Sequence, residues 1–418
     1  MPRLPSVKRH QISWRTPAVI VVCGCLISMI SFGPRATLGF FLTPMSNANG
    51  WGREVFALSV AVQTLLYGTA QPFSGAIADR FGTISVIIIG TLLYAAGIFM
   101  MAHASTPGML YLSSGVLIGF GLSGCSFNLV ISSFGKLLPE SWRSLAFGAG
   151  TASGSFGQFL FSPLGVSLID AVGWRATLEI FAGLLLLIIP LAFAIATPRS
   201  DAPVAVGSAS STAPTQTYKQ ALAEALGHRS FILLVLGFFT CGFQLGFVTL
   251  HLPAYLIDRG LSAQVGGWTL GAIGLFNIIG AMLSGWLGGR MPKRYILSFI
   301  YFARALAVVF LITLPASPAV AMIYGAVTGL LWLSSVPPTS GLVALMFGTR
   351  WLAMLFGIAF FSHQVGGFLG VYLGGLLYSQ TGSYDVVWWL GVLLGLLSAV
   401  INLPIVEKPV TRPAPAPA

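Results

Sequence analysis

Twelve apolar stretches dominate this chain, and each is about as long as a helix that crosses a lipid bilayer. Such a helix needs roughly 20 apolar residues to span the hydrocarbon core. Hydrophobic residues make up 56% of the sequence and charged residues 7%, whereas soluble domains carry about 25% charged residues. We therefore predict an all-α integral membrane protein with twelve transmembrane helices. The predicted spans are 17–42, 55–78, 84–102, 109–137, 145–169, 176–196, 231–257, 265–288, 295–314, 320–346, 351–378 and 386–405.

A short polar loop recurs in both halves of the chain. The first copy contains Gly75, Asp79, Arg80 and Gly82. When the Ser-Gly pairs that open the two copies are aligned, Arg80 falls on Arg290, 210 residues later. Predicted helices 5 and 11 share Phe-Gly and Phe-Leu pairs at an offset of 209 residues. Because internal repeats of this kind are typical of secondary transporters, we predict two six-helix bundles with substrate bound between them.

Composition also sets the expected domain boundaries. Residues 198–216 are rich in Ala, Ser, Pro and Thr, which predicts a disordered linker. Residues 218–226 have the pattern of a short helix on the inner membrane surface. The expected parts are a cytoplasmic segment over 1–16, a first bundle over 17–197, a central cytoplasmic loop over 198–228, a second bundle over 229–406 and a disordered tail over 407–418.

Basic residues are distributed unevenly between the loops on the two sides of the membrane. If both termini are cytoplasmic, the outer loops hold only Arg53, Arg175 and Arg259, and the inner segments hold sixteen of the 21 Lys and Arg. This bias predicts a multi-pass protein of the bacterial inner (plasma) membrane with cytoplasmic termini. The net charge of +11 thus reflects topology. Nucleic-acid binding is not expected, because no basic face interleaved with aromatic residues is visible.

Cofactor and metal chemistry is not expected either. All four cysteines lie inside predicted spans, and no C-x-x-C motif occurs. The glycines over residues 119–124 match a dinucleotide fingerprint, but no strand precedes them and they lie in mid-membrane. No catalytic cluster lies outside the spans, so the chain is predicted not to be an enzyme.

The first polar loop, Gly75-x-x-x-Asp79-Arg80-x-Gly82, resembles the signature loop of the major facilitator superfamily. The resemblance implies a conformational latch in which Asp79 faces the start of helix 11, where a helix N-terminus carries partial positive charge. Arg143 is a candidate second partner. The alternative is a turn that only orients the chain.

A narrower resemblance concerns helix 7. Residues 237–244 and 251–256 are similar to helix 7 of bacterial relatives of the monocarboxylate porters and oxalate/formate antiporters. Those families imply transport of small organic acids. They typically use a basic residue in helix 8, whereas this chain has Asn277 near the midpoint of that helix.

Two arginines lie within the predicted spans. Arg35 is placed about two turns outward of the centre of helix 1, and Arg304 near the centre of helix 9. Each costs about 2.5–3.5 kcal/mol to insert, and all ten acidic residues fall in loops or near span ends. A cavity with unpaired positive charge suits an anion, because guanidinium binds carboxylate with two hydrogen bonds. The alternatives for Arg35 are snorkelling outward or bonding the carbonyl freed by Pro34. The alternative for Arg304 is a structural hydrogen bond.

Neutral polar residues near mid-span complete the candidate site. Each is often a hydrogen bond between helices rather than a ligand contact. Two histidines are candidates for proton coupling, because histidine titrates near neutral pH. The candidates for substrate binding are Arg35, Asn128, Gln244, Asn277, Arg304 and Gln364, and those for proton coupling are His363 and His251.

We therefore expect a secondary active transporter of a small organic anion, a monocarboxylate, that works by alternating access with proton symport. A monomer in the bilayer is expected to be the functional unit, with protons and the anion as partners. An exporter of drugs or metabolites on the same fold is the main alternative, and it predicts transport that does not depend on Arg35. A non-transporting membrane sensor is a further alternative, for which no appended soluble domain is visible.

Overall fold

The computed structural model describes residues 14–197, 217–348 and 351–410. The predicted linker, the N-terminal segment before Trp14 and the end of the tail lie outside these residues. In the first half the helices are α1 (Pro17–Ala36), α2 (Leu38–Asn49), α3 (Arg53–Phe81), α4 (Thr83–Ala102), α5 (Pro107–Leu110), a π-helical turn (Tyr111–Leu117), α6 (Ile118–Gly124), α7 (Phe127–Leu137), α8 (Glu140–Leu185) and α9 (Ile188–Ala192).

The second half repeats this order after a short helix. That helix, α10, occupies the residues predicted for it from the sequence. The helices are α10 (Tyr218–Leu226), α11 (Arg229–Asp258), α12 (Ala263–Gly288), α13 (Lys293–Thr313), α14 (Pro318–Leu331), α15 (Val336–Phe347), α16 (Leu352–Thr381) and α17 (Asp385–Asn402).

These helices form twelve spans in two bundles of six. Ten described stretches are long and apolar enough to cross a membrane by length and composition. One of them, Ser141–Ala192, has 52 residues and breaks at Gly173, whose φ of 81° is left-handed, so it supplies two spans. The less apolar α3 has 29 residues and supplies the twelfth.

The first span is longer than the sequence pattern predicts. Its two helices meet at Thr37, whose hydroxyl donates to the Pro34 carbonyl at 2.7 Å. The chain then stays helical to Asn49 and ends at Gly50, with φ 66°. The prediction that Arg35 lies about two turns outward of the centre is therefore wrong. It lies close to the middle of the span over residues 17–49, because the chain continues as α2 beyond Thr37 as far as Asn49.

The fourth and tenth spans are both broken near the middle of their length. In the fourth span α6 ends at Gly124 and α7 begins at Phe127, and in the tenth α14 ends at Leu331 and α15 begins at Val336. Broken helices at matching positions of two repeats are a feature of transporter folds, where they place helix ends at mid-depth. The repeat seen in the sequence thus extends to the interruptions of its helices.

The two halves meet mainly through four interface helices, because α3 packs on α16 and α8 packs on α12; α2 adds a smaller contact with α11. Near mid-depth and toward one face, Gly39, Gly274 and Gly375 lie against backbone atoms of the other half. We call this the closed face; it carries residues 50–52, 103–106, 259–262, 314–317 and 382–384.

Toward the opposite face, the open face, the same four helices separate. Several glycines there border open space: a Cβ added to any of them would have no atom of the described residues within 4 Å of it, apart from its own chain neighbours and the nearby backbone of its own helix. These glycines are Gly75, Gly148, Gly285 and Gly357. The halves therefore touch from mid-depth to the closed face and diverge beyond it.

Candidate functional site

Arg35 lies at mid-depth against an aromatic ring of the second span. Its guanidinium carbon is 4.6 Å from the centre of the Tyr67 ring, which is cation–π geometry. Tyr67 is 7% exposed and Arg35 is half-buried. Among the described residues Arg35 forms no ion pair. A buried ring therefore positions this charge, and no described carboxylate neutralises it.

The polar cluster continues from Tyr67 to the fourth span. Gln71 follows Tyr67 by one helical turn and so lies on the same face of α3. Its Oε1 accepts from Nδ2 of Asn128 at 2.8 Å. That bond fixes the Gln71 amide, and its Nε2 is buried without a partner within the described structure. The sequence did not single out Gln71, although its one-turn spacing from Tyr67 was a usable signal.

On the second half, Gln364 and His363 of α16 face this cluster. Gln364 donates from Nε2 to the Thr64 carbonyl of α3 at 3.1 Å, and its side chain lies against Gly68. Its Oε1 is 3.0 Å from Nδ1 of His363. Because this Oε1 can only accept, Nδ1 of His363 carries the hydrogen. A hydrogen-bond chain thus runs from His363 across the boundary between the halves.

The other predicted substrate contacts are bound to protein groups. Asn277 donates to the Ser155 hydroxyl at 2.8 Å and accepts from the Leu333 amide at 2.9 Å. Gln244 donates to the Gly391 carbonyl at 3.0 Å. Asn277 therefore joins α12 to α8, and Gln244 joins α11 to α17.

Arg304 is 3% exposed and lies at the break in the tenth span. Its Nε donates to the Leu331 carbonyl at 3.1 Å, and its Nη2 donates to the carbonyls of Leu331 and Trp332. These are carbonyls at the C-terminal end of α14, where the helix dipole favours a cation. This geometry agrees with the alternative role given above for Arg304, which is a structural hydrogen bond within the second half.

An ion pair joins the two halves at the closed face. Arg53 donates to both carboxylate oxygens of Asp258, at 2.7 and 2.8 Å, and to the Tyr384 hydroxyl at 3.0 Å. Its guanidinium also lies 3.9 Å from the centre of the Tyr378 ring. The side chains of Arg53 and Asp258 are only 13% and 30% exposed, so water screens this pair incompletely.

His251 extends the same network into the membrane. It is fully buried, with Nε2 2.8 Å from the Val371 carbonyl and Nδ1 3.2 Å from the Tyr384 hydroxyl. Because the carbonyl only accepts, Nε2 carries the hydrogen and Nδ1 accepts from Tyr384. Hydrogen bonds therefore run from Arg53 through Tyr384 to His251. We call the group Arg53, Tyr378, Asp258 and Tyr384 the closed-face clasp.

The signature loop lies at the open face. Gly75 has open space around it, Gly82 has φ 88°, and the Arg80 side chain is exposed. Arg143 donates from Nε to the Leu138 carbonyl at 3.0 Å, within its own loop. The side chain of Asp79 lies outside the described part of the structure, so the latch remains a prediction.

No group of three or more His, Cys, Asp or Glu residues that could hold a metal ion occurs among the described residues. Two six-helix bundles, matching helix breaks and a polar cluster at mid-depth between the halves define the class of a multi-pass membrane transport protein. The family model described as "Major Facilitator Superfamily" matches residues 24–371. The chain belongs to the major facilitator superfamily and is a transporter of that fold.

Relatives at the level of sequence cover most of the chain. The chain is 28% identical over 388 residues to the uncharacterized MFS-type transporter YcxA of Bacillus subtilis (strain 168), with 91% of this chain and 93% of the relative covered. It is 25% identical over 378 residues to monocarboxylate transporter 13 of Bos taurus, with 88% and 84% covered.

Solved structures agree on the fold. A bacterial homologue of the human lysosomal transporter Spinster, in an inward-facing and unoccupied conformation, matches with a TM-score of 0.70 and 15% identity. The match covers 93% of this chain and 95% of that one. At this identity the likeness concerns the fold alone.

Proposed function

We propose that the protein transports a small monocarboxylate, and that Arg35 binds its carboxylate. The main observation in support is the mid-depth guanidinium of Arg35, which lies over the ring of Tyr67 and has no acidic partner among the described residues. An anion offsets the cost of placing this charge in the membrane. Several relatives named monocarboxylate transporters, such as that of Bos taurus, support this substrate class.

Alternating access about the mid-depth cluster is the proposed mechanism. The closed face carries Arg53, Arg175 and Arg259, and the open face carries most other basic loop residues. By the positive-inside rule we place the open face, and both termini, in the cytoplasm. The bacterial inner membrane is the proposed location. In this arrangement the clasp seals the outside while substrate leaves to the inside.

Proton symport is the proposed coupling. Uptake of a lone anion against an inside-negative potential costs about 2.3 kcal/mol per 100 mV, and one co-transported proton removes that cost. His363 is the better proton carrier of the two histidines, because it is half-buried at mid-depth and contacts Gln364. His251 is fully buried in the closed-face network and has both ring nitrogens engaged.

Proteoliposomes containing the purified transporter test the substrate assignment. Counterflow of radiolabelled lactate, pyruvate and acetate should be saturable in the wild type and fall about ten- to hundred-fold in Arg35→Gln, the effect of losing charged hydrogen bonds. Arg259→Gln is the matched control. Arg259 also pairs with a tyrosine, Tyr255, at 3.1 Å, but at the closed face, and this variant should transport normally.

Retained carboxylate counterflow in Arg35→Gln would refute the assignment. Transport of neutral or cationic compounds by that variant would instead favour an exporter. For coupling, His363→Gln should keep counterflow and lose accumulation driven by a pH gradient. Normal pH-driven accumulation in that variant would exclude His363 as the proton carrier.

A further inference from the structure

A small cavity lies inside the second six-helix bundle, away from the boundary between the halves. It is lined by Gln244 of α11, Arg304 of α13, and Tyr324 and Thr328 of α14, together with apolar side chains. Each of the four polar residues has one buried atom without a well-formed hydrogen bond in the described structure: Oε1 of Gln244, Nη1 of Arg304, and the neighbouring hydroxyls of Tyr324 and Thr328, which lie close to each other. Four such atoms around one cavity indicate a missing ligand, because a buried unpaired polar group is costly.

The charge of this cavity is positive. Nε and Nη2 of Arg304 are bound to the carbonyls of Leu331 and Trp332, while Nη1 is unpaired. The end of a helix offers only about half a negative charge. The helices α13 and α14 contain no acidic residue, and the only one in α11 is Asp258, which is paired with Arg53 at the closed face. A buried charge normally has a charged partner, and the described protein supplies none here.

Hydrogen-bond donors predominate among the free groups. Nη1 of Arg304 can donate into the cavity, and the adjacent hydroxyls of Tyr324 and Thr328 supply at least one further donor when one of them donates to the other. Gln244 donates from Nε2 to the Gly391 carbonyl, which leaves Oε1 as the single obligate acceptor. That oxygen repels negative charge, so it directs an anion toward the guanidinium and the hydroxyls.

We propose that this cavity binds one small monovalent inorganic anion of the halide class, which serves as the counter-ion of Arg304. The space suits a monoatomic ion or a single water molecule and is too small for an organic acid. The site is separate from the mid-depth cluster around Arg35. Binding would stabilise the break in the tenth span, because Arg304 holds the carbonyls at that break.

Thermal unfolding of the purified full-length protein in detergent tests the proposal. Sodium chloride or sodium bromide is titrated against sodium gluconate at constant ionic strength, so that only the anion changes. Chloride and bromide should raise the Tm in a saturable manner, because a ligand that binds only the folded state stabilises it. Gluconate is too large for the cavity and should have no such effect.

Variants locate the ion. Tyr324→Phe and Thr328→Val each remove one hydroxyl at nearly constant shape and should shift the midpoint of the chloride titration about ten-fold higher. Arg304 is left unchanged, because its loss would also release the carbonyls of α14. Tyr94→Phe is the matched control: it removes a buried tyrosine hydroxyl in the first bundle, away from this cavity, and should leave the titration unchanged.

Three results would overturn the proposal. Equal Tm values in chloride and gluconate would mean that the cavity holds only water. Wild-type midpoints in both Tyr324→Phe and Thr328→Val would place any bound halide elsewhere. Loss of the chloride effect in Arg35→Gln would place it at the mid-depth cluster.

Discussion

Replacing Asp258 by Asn should weaken the closed-face clasp and shift the protein toward a state in which that face is open. In the structure, Arg53 donates two hydrogen bonds to the carboxylate, at 2.7 and 2.8 Å, across the boundary between the halves. Asn keeps one acceptor but removes the charge. Hydrogen bonds to charged groups contribute about 1.5–3 kcal/mol, and the carboxylate is 30% exposed. We therefore expect a loss of about 2 kcal/mol, which is roughly a thirty-fold change in the equilibrium.

Distance measurement by pulsed electron paramagnetic resonance detects this shift. Spin labels are attached at the exposed closed-face positions Asn47 and Val386, one in each half, on a background without the four native cysteines. The wild type should show mainly the short distance of the closed clasp. Asp258→Asn should show a second, longer distance with a substantial population.

Asp170→Asn is the matched control. Asp170 also joins the halves at the closed face, but it accepts from the neutral amide of Gln264 at 3.0 Å in an exposed position. Exposed contacts of this kind contribute about 0–1 kcal/mol, so its distances should stay near those of the wild type. Unchanged distances in Asp258→Asn, or an equal shift in Asp170→Asn, would refute the role of the ion pair.

Three further predictions concern single residues. Gly242→Ala places a Cβ against the His363 backbone carbonyl. It should destabilise the fold by about 1–3 kcal/mol, measured as a lower Tm. Gly357 has open space around it, so the control Gly357→Ala should leave the Tm unchanged or raise it. Tyr384→Phe removes the hydroxyl between Arg53 and His251 and should lengthen the closed-face distances less than Asp258→Asn does. Gly173→Ala should lower the Tm, because φ 81° with ψ 163° is a conformation essentially restricted to glycine, and a side chain there costs about 1–3 kcal/mol. An unchanged Tm would contradict that.

The class of fold was predictable from the sequence because every helix that spans a bilayer needs a long apolar stretch. Apolar length alone revealed the spans, and the recurrence of Arg80 at Arg290 revealed the two halves. The end of the first span was not predictable in the same way. Polar residues such as Asn47 and Asn49 follow Leu42, and in the structure this segment is a helix that packs on α11, α3 and α8.

The site was predictable only in part, because its contacts join distant parts of the chain. Arg35 and Asn128 stand out in the sequence as isolated polar residues in apolar spans. Gln71, which binds Asn128, lies nearer the end of its predicted span, where a polar residue is ordinary. Arg53 and Asp258 are 205 residues apart and lie in loops or at helix ends, where charge is ordinary. A sequence pattern shows where a charge interrupts an apolar span. It does not show which distant residues pair with each other, because that depends on how the helices pack.

The free space around the glycines differs along the interface helices, and this difference has a consequence for mutational tolerance. Near the closed face, backbones of the two halves touch at Gly274 and Gly375, so no side chain there can yield to a larger replacement. Near the open face, Gly75 and Gly285 border free space. A systematic substitution library scored for transport should therefore show a gradient along each interface helix. Substitutions near the open face should preserve transport. Substitutions that add even one carbon should abolish transport where the backbones of the two halves touch.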